Sequence, residues 1–246
     1  MLSIVMPTFN QGRYIRQSIQ SVLSQTYRAF ELIIVDDAST DDTPQILKEL
    51  VCGNPHISLL RNETNLGTGR SLNKGFSIAR GEMETWWASD NVMYPNCLET
   101  LVGHLRQHPE VDYVYSDCEM RTMDEDGVTP LKINSCSSEV GGQVFTYSRL
   151  LCHYYLGVCW AWRQSLRLAA GGLFQPEPCE DYDMVLRMAE AGGLFANIPE
   201  ELGWFRRHKE NMTHKILRDN GHYYSHFVQG KAAERRAEKG ITNGFS

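Results

Sequence analysis

Through the first half of the chain, short apolar runs alternate with segments whose apolar residues recur every three or four positions. Leu2-Ser3-Ile4-Val5-Met6 is the first run, and Pro7 stops it, which predicts a buried strand. Ile15, Ile19, Val22 and Leu23 then fall on one helical face, so a helix is predicted over Arg13 to Ser24, entered through a bend at Gly12. Glu31 to Val35 repeats the strand pattern. The stretch Asp36 to Pro44 is dense in turn and cap residues and leads into a helix from about Pro44 to Val51. Ile57 to Leu60 reads as a third strand, and Asn65-Leu66-Gly67-Thr68-Gly69 as a loop opening a helix that buries Leu72, Phe76 and Ala79. Glu82 to Ala88 is a fourth strand. A helix from Pro95 carries Leu98, Leu101, Val102 and Leu105 on one face, and Val111 to Tyr115 is a fifth strand.

Such alternation predicts an α/β fold, with a mostly parallel sheet covered by helices and right-handed crossovers. Strand-end loops then gather on one rim, bringing Pro7-Thr8-Phe9-Asn10, Asp36-Asp37 and Ser89-Asp90-Asn91 together. A carboxylate there can accept from a ribose hydroxyl or a pyrimidine N–H, and Asp90 can hold a hard divalent cation against a diphosphate. The same residues also suit plain structure: Asp36 and Asp37 a turn and the Thr43-Pro44 cap, Asp90 and Asn91 a turn before the next helix.

In the second half, Glu180-Asp181-Tyr182-Asp183 precedes Met184, Val185, Leu186 and Met188, and Gly192-Gly193 ends the pattern, so a helix begins at or just before the acids. Acids in a first turn complement the helix dipole, and they can equally take a proton. Trp204-Phe205-Arg206-Arg207-His208 is a basic cluster suited to an anionic ligand or to a surface. Met123 to Gly142, with Asp124-Glu125-Asp126-Gly127 and Ser135 to Ser138, predicts a polar, mobile loop. Tyr147, Tyr154, Tyr155, Trp160 and Trp162 can fill a core or stack on sugar rings. His222 to Lys239 is a polar stretch of helical character that can dock on the domain, on a membrane surface or on another domain.

Composition narrows the classes. With 246 residues, 42% of them hydrophobic, the chain can bury a substantial core, and a net charge of −6 without long basic runs argues against a nucleic-acid surface. Its seven scattered cysteines show no metal or redox spacing, the strand at Leu2 to Met6 follows no basic leader, and no apolar run is long enough to span a bilayer. A cytoplasmic protein with reduced thiols is expected, without a transmembrane segment and with room for peripheral contact at the inner face of a membrane.

Val5-Met6-Pro7-Thr8-Phe9-Asn10, then Glu31 to Asp41 with Asp36-Asp37 at its centre, then Asn65-Leu66-Gly67 closely resemble, in order and spacing, the start of family 2 glycosyltransferases. The resemblance returns around Cys179 to Gly192 and Trp204 to Thr213 and is weak from about Met123 to Trp162. It implies the GT-A (Rossmann-like) fold, a nucleotide-diphosphate sugar donor (a UDP-sugar by family default), a divalent Mn2+ or Mg2+ ion, and inverting transfer to a hydroxyl of a glycan or lipid-linked acceptor. Carried over, it implies donor contacts at Pro7, Thr8, Asn10, Asp36, Asp37, Arg70, Asn73, Ser89 and Arg207. Metal contacts fall on Asp90 and His208. Asp181 becomes the general base, with Glu180 orienting the acceptor. The chain departs from the family's Asp-x-Asp metal motif at Ala88-Ser89-Asp90-Asn91, where only the middle acid remains.

On this reading residues 1–118 are the nucleotide-sugar half of one domain, 119–215 the acceptor and catalytic half, and 216–246 a polar helical tail whose role the residues do not state; the protein as a whole is expected to serve polysaccharide biosynthesis. Two rivals stay open. One is a catalytically weak nucleotide- or glycan-binding module, motivated by Ala88 and Asn91. The other is a sugar nucleotidyltransferase, which lacks its Gly-rich basic loop after the first strand.

Overall fold

A computed structural model describes residues 1–123, 130–136, 145–152, 154–175, 179–209, 211 and 223–238. Nine strands and eight helices are formed by these residues: β1 (Leu2–Thr8), α1 (Ile15–Leu23), β2 (Phe30–Asp36), α2 (Thr43–Val51), β3 (Ile57–Arg61), α3 (Thr68–Phe76), β4 (Met83–Trp86), β5 (Val92–Met93), α4 (Cys97–Gln107), β6 (Tyr113–Met123), β7 (Pro130–Cys136), α5 (Tyr147–Cys152), β8 (Cys159–Arg163), α6 (Gln164–Ala169), α7 (Glu180–Glu190), β9 (Phe195–Arg207) and α8 (Tyr223–Glu238). One sheet holds the strands in the order β3-β2-β1-β4-β8-β6-β9-β5, with β7 on the far part of β6. Strands β1, β2, β3, β4, β6 and β9 share one direction, whereas β5, β7 and β8 oppose it. The expected mostly parallel α/β sheet is what forms.

Both faces of that sheet are covered, which explains the continuous apolar runs. Leu2, Ile4 and Met6 of β1 pack with Leu32 and Ile34 of β2 against α1, α2 and α4. On the opposite face Val5, Ile33 and Val35 meet Leu72 and Phe76 of α3, together with apolar residues of α7 and of α8. Gly75 lets α3 approach β1: a Cβ there would lie 2.3 Å from Val5 Cγ1. Glu84 of β4 and Arg167 of α6 form a buried two-pronged ion pair of 2.6 and 2.8 Å, and Trp162 Nε1 donates to the same carboxylate at 3.0 Å.

Several expectations need correcting. Pro7 does not stop β1, which continues to Thr8. Val5 O accepts from Trp87 N, so the nitrogen of Pro7, two residues on, faces the same side beyond the last β1–β4 pair, Val5 with Trp86, and no ladder bond is lost. Helix α4 begins at Cys97, not Pro95, because β5 intervenes and the Pro95 carbonyl accepts from Thr26 N at 2.8 Å. Within the stretch Met123 to Gly142, residues Pro130–Cys136 pair as a strand with β6, while the Asp124-Glu125-Asp126-Gly127 turn lies outside the described residues. The C-terminal segment does dock on the domain: Arg235 of α8 bridges Asp183 (3.0 Å) and Glu190 (2.8 Å) of α7, and Val228 and Ala232 are buried.

Candidate active site

The turn after β4 is built by its neighbours. Asn91 N donates to Ala88 O at 3.2 Å, closing a tight turn around Ser89 and Asp90, and Ser18 Oγ of α1 donates to the same carbonyl. Ser21 Oγ accepts from Met93 N, and Gln25 bridges Tyr94 O and Leu98 N. Two serines of α1 and Gln25 just past its end thus satisfy the backbone of residues 88–98, where an apolar stripe alone was expected. Asn91 points its amide oxygen at Arg206 N (3.1 Å), fixing the register of β5 and β9. The residue standing where the family motif carries an acid therefore serves the sheet.

Register brings the end of β9 to this turn. His208 Nε2 is 3.1 Å from Asp90 Oδ2, and Asn211 Nδ2 donates to the same oxygen at 3.0 Å. Both side chains of the pair are largely buried, Asp90 at 12% and His208 at 3% exposure. Behind them Arg206 lies between the rings of Tyr14 (4.8 Å) and Trp204 (4.5 Å), donates from Nε to Asp90 O at 2.9 Å and from Nη2 to Gln17 Oε1 at 2.5 Å. Burial lowers its pKa, and the Asp90 charge opposes that shift. Arg207 is half-buried at the tip of β9.

Among the described residues no group of three or more His, Cys, Asp or Glu gathers as a metal site. At this turn the described residues bring together the carboxylate of Asp90 and the imidazole of His208. That pair fits an ion such as Mn2+ or Mg2+ whose remaining positions are filled by diphosphate oxygens and water.

The loops after β1 and β2 are laced into one rim. Asn10 N donates to Ser39 Oγ (2.9 Å), and Asn10 Oδ1 accepts from Thr40 N (2.8 Å); Gln11 N reaches Thr43 Oγ1 at 2.8 Å and Gly12 N reaches Asp41 at 2.9 Å. Burial would raise the Asp41 pKa, but the hydrogen bonds from Thr43 and Gly12 outweigh it and hold the group low. Thr8 is buried at the strand end and Pro7 half-buried. Asp36 accepts from Ser39 N at 3.0 Å and pairs with Arg61. Asp37 accepts from Asn62 Nδ2 (2.7 Å), Leu66 N (2.9 Å) and Gly67 N (2.8 Å), which ties the loop before α3 to the rim. Arg70 is exposed on the first turn of α3. Asn73 spends both ends of its amide on Phe174, donating to O (2.8 Å) and accepting from N (2.7 Å).

That clamp fixes the approach to α7. Cys179, with φ of 66°, turns the chain so that Glu180 is buried and Asp181, half-buried, lines a narrow cavity with Trp86, Tyr113, Tyr154, Trp160 and Phe174. Asp181 Oδ1 accepts from Tyr182 N at 2.8 Å. Burial raises the Asp181 pKa; burial and then the Asp181 charge push Glu180 up to about 8. The two acids cannot both ionise cheaply. Burial, then Asp181 and Glu180, likewise raise the Cys179 thiol to about 12, so it stays protonated.

Among the described residues the non-glycine residues with positive φ are Asn10 (53°), Ala38 (63°) and Cys179 (66°). Each sits in one of the loops that form the site, where unusual backbone tends to concentrate. The sequence placed Arg206 in a basic cluster for an anionic ligand or a surface, but nothing in charge or periodicity marked it as a cation buried between Tyr14 and Trp204 and bonded to Gln17 beneath Asp90.

The sequence model described as Glycosyl transferase family 2 matches residues 3–145. EpsE of Bacillus subtilis (strain 168), which bears a glycosyltransferase name, is 32% identical over 204 residues, covering 82% of this chain and 71% of its own length. The crystal structure of S. aureus TarS 1–349 in complex with UDP-GlcNAc superposes with a TM-score of 0.70 at 20% identity, covering 85% of this chain and 59% of that one. The mannosyltransferase PcManGT from Pyrobaculum calidifontis, in complex with GDP-Man and Mn2+, gives a TM-score of 0.68 at 19% identity over 99% of this chain and 76% of its own. The chain thus spans only part of each of these proteins. Among the described residues no helix is long and apolar enough to cross a membrane. The matched motifs and the GT-A fold agree: this chain belongs to glycosyl transferase family 2.

Proposed function

We propose that the chain transfers a sugar from a nucleoside diphosphate, a UDP-sugar first among them, to an acceptor hydroxyl with inversion at the anomeric carbon. The observation that carries this reading is the Glu180-Asp181 pair at the start of α7, Glu180 buried and Asp181 half-buried against a narrow cavity, with both carboxyl pKa values raised. A sugar hydroxyl is a weak nucleophile, and a carboxylate whose pKa lies above its usual value is a better proton acceptor near neutral pH. Asp181 takes the proton of the attacking hydroxyl as the new bond forms, and the nucleoside diphosphate leaves from the opposite face. Glu180, protonated beside it at neutral pH, spares Asp181 a second negative charge and can donate to the acceptor.

The rim formed by residues 7–10 and 36–43 holds the nucleoside, and Arg207 stands beside the diphosphate end. A divalent ion, when bound, would be held by Asp90 and His208 and would supply charge neutralisation to the diphosphate. The structures of TarS in complex with UDP-GlcNAc and of PcManGT in complex with GDP-Man and Mn2+ support a donor of this class. The acceptor is a glycan or lipid-linked hydroxyl.

Turnover tests the base. Release of nucleoside diphosphate from a panel of nucleotide sugars, with Asp181→Asn beside the wild type, should fall by about 10²–10⁴-fold in the variant. Unchanged turnover in a folded Asp181→Asn protein removes the mechanism. Nucleotide binding without any turnover in the wild type would instead favour a binding module.

A further inference from the structure

The cavity beside Asp181 has room for about one water, roughly 10 Å³ for the centre of a water-sized sphere. It is too small for a sugar ring. Its walls are aromatic, yet three polar atoms in them, Tyr113 Oη, Tyr154 Oη and Trp160 Nε1, are buried and have no hydrogen-bond partner among the described residues. Tyr113 and Trp160 are buried to 0% and 4% exposure. Three orphaned polar atoms around one cavity are costly, each on the order of 1–3 kcal/mol, and native proteins offset such sites with ordered water.

We propose that Tyr113, Tyr154 and Trp160 are positioning residues for the reacting carboxylate: their polar ends hold one water against Asp181, which orients that carboxylate and favours its charged form. One water can give each of the three polar atoms a partner. Water accepts from the indole N–H and one phenol, and donates to Asp181 and to the oxygen of the other phenol. Both phenols line the same cavity as Asp181, and burial first, with the Asp181 charge adding to it, raises the pKa of each. Both therefore remain protonated at any working pH. The other ionisable groups beside Asp181 are Glu180 and Cys179 on its own segment, and its charge raises the pKa of both, which keeps them protonated and neutral at neutral pH. The cavity supplies the opposing contribution that keeps Asp181 able to ionise.

The catalytic meaning of this anchor rests on the reading of Asp181 as base, so its test is a titration of the protein itself. Carbon-13 carboxyl resonances of labelled aspartate, with Asp181 assigned by its loss in Asp181→Asn, give the pKa in wild type, Tyr113→Phe and Tyr154→Phe. Loss of either hydroxyl should raise the Asp181 pKa by about one unit, and a crystal structure should show one ordered water in the cavity. An unchanged pKa in both variants, or a cavity without water density in the wild type, overturns the proposal. If Tyr113→Phe melts, Tyr154→Phe and the crystal structure still decide. Full turnover by Asp181→Asn would remove the base while leaving the titration to judge the anchor.

Discussion

His208 Nε2 and Asp90 Oδ2 meet at 3.1 Å although 118 positions separate them, and β5–β9 pairing brings them together. Imidazole and carboxylate each have one further purpose if a divalent ion joins a nucleoside diphosphate here. His208→Ala is expected to weaken Mn2+-dependent UDP binding by about 10- to 100-fold, and Asp90→Ala by more. Calorimetry with and without Mn2+ checks this, and equal affinity in wild type and both variants would remove the pair from the donor site.

Asn73 joins α3 to the segment before α7 through two bonds to the Phe174 backbone. Asn73→Ala leaves a backbone N–H and C=O without their partner, and should cost about 1–3 kcal/mol in denaturant unfolding. Because Phe174 walls the cavity at Asp181, turnover should fall with no matching loss of nucleotide affinity. A fall in affinity alone would instead place Asn73 against the donor.

Glu180 makes stability pH-dependent in a stated direction. Its folded pKa of about 8 lies above the ordinary glutamate value of 4.5, so the native state binds a proton that the unfolded chain has released. That contribution is complete below about pH 4.5 and is lost as pH rises through about 8. Glu180→Gln should therefore melt higher than wild type above pH 8, by on the order of a few kcal/mol, with the gap closing at acidic pH. Parallel melting curves at pH 5 and 9 read this directly.

Arg167 and Glu84 are a buried pair with good geometry. Removing only the cation, in Arg167→Met, strands a buried carboxylate and should cost about 3–5 kcal/mol. The double change Glu84→Gln with Arg167→Met should cost less than Arg167→Met alone. Urea unfolding of the three proteins checks that ordering.

The fold was readable wherever both faces of a strand are buried, because Leu2 to Met6, Glu31 to Val35 and their following helices leave unbroken apolar runs. It was unreadable where strands mix purposes. Strand β9 carries Pro199-Glu200-Glu201 in its middle, which reads as a loop. In the sheet Ile198 pairs with Ser116 and Glu201 with Asp117, so the proline sits in a register shift, where a missing N–H costs little. Strand β8, Cys159–Arg163, is a run of aromatics that reads equally as core or ligand platform, and two-residue β5 has no pattern at all. For the site, motif order singled out Asp90, His208 and Asp181. Nothing in spacing marked Tyr113 and Tyr154, whose importance lies in polar atoms left over after packing.

The docking of α8 moves the border of the smallest piece that can fold. Arg235 neutralises Asp183 and Glu190 together, Gln229 reaches Tyr182 Oη at 3.4 Å, and Val228 and Ala232 close the core over α7. A fragment cut at residue 215 would keep every residue of the proposed chemistry. It would nevertheless expose the back of the helix that aims Asp181 and leave two buried acids without their shared cation. Expression boundaries for this domain therefore belong beyond Glu238, and a shortened version that binds nucleotide yet fails to turn over would say more about α7 than about the acids at its start.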